Sequence, residues 1–172
     1  MWIFKNYKNL TQEEHINLLN IRNEKEIREA SKNKEIITLN NHLKWVKSLD
    51  EEKCYFALFV DEKIVGGLNF SKEANTIKEW GVFFSKDTKP LISSIATYIF
   101  INYMFEKADI LYSQVSKENI QALRFNEYFK LEIYDEKDGF YNLILTKEKW
   151  QKEQKSFKFL QNRVKKINYK FR

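Results

Sequence analysis

Between Asp109 and Tyr141 the chain runs through an apolar strand, the turn Ser116-Lys117-Glu118-Asn119, a helix carrying Ala122 and an aromatic hairpin. The hydrophobic pattern passes from strand to helix and back to strand within this one stretch. A helix set between strands has to bury its apolar side on a sheet, so the stretch confines the chain to folds that layer helices on strands.

The preceding residues supply the rest of such a sheet. Thr11-Gln12-Glu13-Glu14 has the form of a capping box, in which the Thr hydroxyl and the Glu carboxylate satisfy free N–H groups at a helix start. Ile16, Leu19 and Leu18 then recur at helical spacing. Thr38 opens a second helix with Leu39, His42, Leu43, Val46 and Leu49 on one face. Cys54 to Val60 and Ile64 to Phe70 read as a hairpin around Asp61-Glu62-Lys63, and Thr76 to Phe84 adds a third strand. Pro90 suits the first turn of a helix over Leu91 to Phe105, with Ile95, Ile99, Asn102 and Phe105 near one face. With a short first strand, a strand from Ile110 to Val115, a helix from Glu118 to Phe129 and strands near Ile133 and over Tyr141 to Leu145, the order is β, α, α, β, β, β, α, β, α, β, β. An antiparallel meander joined to one crossover predicts an α+β fold, a mostly antiparallel sheet flanked by helices.

The 172 residues suffice for one core, read as a domain over 1–146 with a basic amphipathic helical extension over 147–172. The aromatic share of 16 %, with only 4 Gly and 1 Pro, argues against long flexible segments. Cys54 is the only cysteine, so no intrachain disulfide forms, and a buried, inert thiol is expected. No apolar run reaches the roughly 18 residues of a membrane span, and the start Met1-Trp2-Ile3-Phe4-Lys5 lacks a signal-peptide core, so the cytoplasm is the expected location. His15 and His42 stand apart with no Cys or carboxylate cluster between them, and no metal site is expected.

Several short segments carry a family likeness: Ile21-Arg22-Asn23, His42-Leu43, Gly66, Glu79-Trp80-Gly81, Asn119-Ile120-Gln121-Ala122, and Tyr134-Asp135-Glu136 before Phe140-Tyr141. In order and spacing, over about residues 18 to 145, the chain resembles the GNAT N-acetyltransferases, and among them those acting on nucleotide-linked amino sugars. The resemblance implies acetyl-CoA as acyl donor, with pantetheine beside the strand that precedes Asn119 and Ala122. It places Glu79 where many members hold a base, and it brings backbone N–H groups near Val82 and Phe84 to the thioester and pantetheine. A solvated strand residue balancing Lys78 is the plain alternative for Glu79.

The chain departs from the family pattern twice. GNAT proteins carry a Q/R-x-x-G-x-G/A pyrophosphate loop, because several backbone N–H groups must turn toward phosphate. The segment Ser85 to Ser93 has neither glycine, and Pro90 has no N–H to give. Side chains of Lys86, Thr88, Lys89 and Ser93 are the available substitutes. The family's general-acid tyrosine is replaced by Asn126, whose amide can orient a sulfur but cannot release a proton near neutral pH. For the acceptor, Arg22 and Asn23 end the first helix near the expected cleft mouth, where an Arg fork suits a diphosphate. His42, Trp80 and Tyr141 complete the expected acceptor contacts, with core packing as the alternative for each.

The tail holds ten Lys/Arg against Glu148 and Glu153. Phe157, Leu160, Val164, Ile167 and Phe171 fall on one stripe of a helix, expected to pack on the domain or on a second copy. Peripheral contact with an acidic lipid surface is the sharper reading, and nucleic acid the least favoured. Acetyl transfer to the amine of a nucleotide-linked amino sugar for surface or flagellar glycans is the first functional reading. A GNAT-like binding or assembly module without acetyl-CoA activity is the second, and acylation of a peptide amine a third.

Overall fold

The structure, a computed structural model, describes residues 1–172. Strand β2 (Lys53–Val60) shows how its two faces are used: Phe56 and Leu58 enter a large core, while Ala57 between them enters a smaller one on the opposite face. β1 (Trp2–Asn6) pairs antiparallel with β2, and β2 with β3 (Lys63–Glu73). β3 pairs antiparallel with β4 (Thr76–Phe84), completing the expected meander.

Three helices lie between β1 and β2, one more than the sequence suggests: α1 (Gln12–Arg22), the short α2 (Lys25–Glu29) and α3 (Leu39–Lys47). The Thr11 capping box and the Thr38 cap both form. His15, Leu18 and Leu19 form the inner face of α1, whereas Ile16 points outward. α1 and α3 cover the smaller core, built from Tyr7, Leu18, Val46, Leu49 and Ala57.

α4 (Pro90–Phe105) crosses the other face and is buried almost all round from Ile95 to Ile101, so the single apolar face expected for it is too narrow. It leads to β5 (Ile110–Ser116), parallel to β4. α5 (Ile120–Tyr128) follows, capped by the Asn119 side chain on the Ala122 N–H at 3.0 Å. β6 (Glu132–Lys137) turns at Gly139, φ +82°, into β7 (Phe140–Thr146), which inserts between β5 and β6.

The continuous helix expected over 147–172 is corrected. The tail forms α6 (Lys147–Glu153), a 3-10 turn at Gln154–Phe157, α7 (Lys158–Val164) and then β8 (Tyr169–Phe171), parallel to β1. Phe157 and Leu160 are buried in the large core beside Phe129 and Trp150, so their stripe packs on the chain's own domain. Ile167 and Phe171 lie beyond the helix. Phe171 stacks on Tyr103 (3.7 Å) and Phe4 (4.4 Å), because the sheet edge offers β1 an unpaired ladder and a flat aromatic surface. The sheet thus has eight strands in the order β6-β7-β5-β4-β3-β2-β1-β8.

Candidate active site

β4 and β5 pair only at Thr76 with Ile110 and Ile77 with Leu111, then part. The separation frees one edge of β4. Ser85 N–H donates to Val65 C=O (2.9 Å), and strand alternation then turns the Val82 and Phe84 N–H groups away from β3, toward the opening. Donors that a parallel partner would have used are left for another group.

A cleft of about 610 Å³ lies on the α1/α3 side of the sheet, lined by Arg22, His42, Trp80, Val82 and Glu79 among others. Its floor depends on Gly67, where a Cβ would come within 2.6 Å of the Tyr7 hydroxyl and 2.5 Å of the Phe83 ring. A shallower depression of about 390 Å³ adjoins it over β5 and β7, lined by Tyr112, Ser113, Tyr134 and Asn142. Lys32, Glu79 and Gln114 line both.

Glu79 is half exposed, and its Oε1 accepts from Lys32 Nζ at 2.7 Å. Lys32 belongs to the 30–38 loop, which α1 and α2 hold over the cleft. Asn23 accepts from Ile37 N–H and donates to Ile37 C=O, both at 2.9 Å, and Arg28 donates to Lys34 C=O. Asn23 therefore fastens this loop and does not line the cleft. Burial pushes the Tyr55 hydroxyl pKa up, with a further rise from the Glu79 charge facing it.

Arg22 donates to Asn33 C=O at 3.3 Å through Nη2, while its Nη1 has no protein partner; burial lowers its pKa. Trp80 Nε1 is likewise buried without a partner, but the ring packs in the large core with Phe70, on the face of β4 opposite to Glu79, so the acceptor contact expected of Trp80 is corrected to core packing. His42 Nε2 meets His15 Nδ1 at 2.9 Å, and desolvation, followed by His15, pushes the His42 pKa down to about 4. The ring stands beside Tyr7 and Trp45 as a neutral part of the cleft wall. Tyr141 is not among the cleft residues and lies under Lys117, 5.2 Å from its ring centre.

On the donor side, Asn126 Nδ2 donates to Ala122 C=O at 2.8 Å, which fixes the amide orientation, and the buried Oδ1 is left without a partner. Asn119 spends its side chain on the α5 cap, and Ser93 Oγ donates to Pro90 C=O. Lys89 caps α4 with no side-chain bond and remains exposed with Lys86. Glu24 accepts from Ser85 Oγ (2.9 Å) and Lys86 N–H (3.0 Å), supplying a carboxylate to the loop that lacks glycines. The freed β4 donors fit the alternating amides of a pantetheine arm. The loop offers lysine side chains to phosphate. Sequence reasoning missed Lys32, Glu24 and Tyr55, which sit in polar or strand segments with no motif and meet the site only through the fold.

No protein-family model matches the chain. Acetyltransferase PseH from Campylobacter jejuni subsp. jejuni serotype O:23/36 (strain 81-176) is 32 % identical over 145 residues, which cover 82 % of this chain and 91 % of that protein. The crystal structure of Campylobacter jejuni N-acetyltransferase PseH in complex with acetyl coenzyme A matches with a TM-score of 0.70 and 28 % identity, covering 86 % of this chain and 99 % of the other. Apo FdhC, described as a nucleotide-linked sugar GNAT, shares the fold at a TM-score of 0.67 and 15 % identity, covering 86 % and 89 %. With its opened β4/β5 pair, Asn119-capped helix and inserted β7 all in place, the chain belongs to the PseH acetyltransferases, within the GNAT fold.

Proposed function

We propose that the protein transfers an acetyl group from acetyl-CoA to the amine of a nucleotide-linked amino sugar used in surface or flagellar glycans. The observation that carries this reading is a cleft in which the Glu79 carboxylate already holds an ammonium, that of Lys32, and whose lining includes Arg22, a guanidinium with one nitrogen, Nη1, left without a protein partner. A carboxylate suits the amine, and a guanidinium nitrogen without a protein partner suits a ligand rich in phosphate, carbonyl or hydroxyl oxygens.

Acetyl-CoA supplies the thioester. Glu79 takes a proton from the acceptor ammonium, directly or through water, and so exposes the nitrogen lone pair. The Val82 and Phe84 N–H groups hold the donor in the opening between β4 and β5, and a backbone donor there stabilises negative charge developing on oxygen. Asn126 keeps its amide on the Ala122 C=O. It supplies no proton, so the leaving thiolate departs as an anion or takes a proton from water, at modest cost because thiols are acidic. Arg22 faces the acceptor phosphates, and His42 walls the sugar side.

Thiol release is to be measured with a nucleotide-linked 4-amino sugar, the free amino sugar and a peptide amine as acceptors. The nucleotide-linked sugar is expected to show the highest kcat/KM, and Arg22→Met is expected to remove its advantage over the free sugar. Equal or faster turnover on the peptide amine would overturn the reading.

A further inference from the structure

Lys32 is the one amine the fold places on Glu79, at 2.7 Å. Its loop is held down by Asn23, Arg22 and Arg28, and Lys32 and Glu79 both line the cleft and the depression that adjoins it across the β4/β5 opening. The side chain is 60 % exposed, so solvent screening makes the ion pair worth little as a stabilising contact. Its place at the meeting of the two cavities is chemically specific, because the group that would deprotonate an acceptor amine holds an amine of the chain itself.

We infer that Lys32 is an internal acceptor: with no amino sugar bound, the protein acetylates its own Lys32 Nζ from acetyl-CoA. The inference rests on the proposed roles of Glu79 and acetyl-CoA. Glu79 accepts one proton from the Lys32 ammonium, and the freed Nζ attacks the acetyl carbonyl carbon. The C–N bond forms, the C–S bond breaks, and the electron pair leaves on the CoA sulfur. The second amine proton ends on that sulfur, so lysine ammonium and acetyl-CoA yield acetyl-lysine, CoA thiol and one proton. The product is a neutral amide that no longer pairs with Glu79, and the 30–38 loop then loses its bond across the cleft. A sugar ammonium seated on Glu79 displaces Lys32 and protects it.

The test is peptide mass spectrometry after incubation of the full chain with isotope-labelled acetyl-CoA and no acceptor. Label is expected on Lys32 at a rate about tenfold or more above the exposed Lys25 and Lys155, as held proximity requires. That rate should be independent of protein concentration, fall in Glu79→Gln while the exposed lysines label unchanged, and fall when nucleotide-linked amino sugar is added. Labelling of Lys32 no faster than Lys25, or a rate that rises with protein concentration, overturns the inference. Acetylated sugar formed beside unlabelled Lys32 overturns it alone and leaves the proposed transfer standing. No acetylation of either acceptor, in protein that binds acetyl-CoA by calorimetry, overturns both.

Discussion

Glu79→Gln keeps the size of the side chain and its place on β4 while removing its capacity to take a proton. Turnover is expected to fall roughly 10²- to 10⁴-fold with little change in acceptor KM, the pattern of a group acting in the transition state. Steady-state kinetics check this, and unaltered kcat would remove Glu79 from the chemistry. His42 makes a different prediction. Its pKa near 4 lies below the value of an unfolded histidine, so the unfolded chain binds the proton more readily. The stability contributed by the neutral ring is complete above about pH 6.5 and is lost as the pH falls toward about 4, on the order of 2–3 kcal/mol. His42→Gln should flatten that part of the stability curve in urea titrations between pH 7 and 4. An unchanged slope would show that burial of the His42 ring does not set it.

At the scale of elements, β8 ties the tail to the sheet edge. Phe171→Ala removes a half-buried ring stacked on both Phe4 and Tyr103 and is expected to cost about 2–3 kcal/mol in urea unfolding. A loss under about 1 kcal/mol would mean that β8 is not bound in solution. The meander and the hairpin were legible from their strand period and the turns between strands, and the helices after Thr11, Thr38 and Pro90 from helical period with a start signal. The tail was not, since Phe157, Leu160 and Val164 keep helical spacing while three residues of β8 carry no period of their own. Glu79, Arg22 and His42 were legible as cleft residues through family likeness, while Trp80 went to the core on the other face of β4. The Lys32 to Glu79 and Glu24 to Lys86 contacts were not, because loop geometry brings together residues 47 and 62 positions apart.

For the whole molecule, the net charge of +6 is concentrated in the last 26 residues, which hold ten bases and two acids. No helix is long and apolar enough to cross a membrane. The tail turns its apolar side chains to the core and leaves Lys155, Lys158, Lys165 and Lys166 exposed, a surface that draws polyanions at low salt. Any claim about acetyl-CoA has to be separated from that attraction. The most direct measurement is calorimetric titration of the protein with acetyl-CoA and with desulfo-CoA, at low and at raised salt. Binding in the β4/β5 opening predicts one saturable site with Kd on the order of micromolar, about −8 kcal/mol, that persists at raised salt. Heat that vanishes with salt, or no saturation, would contradict the account and leave a GNAT-like module that does not bind the acyl donor.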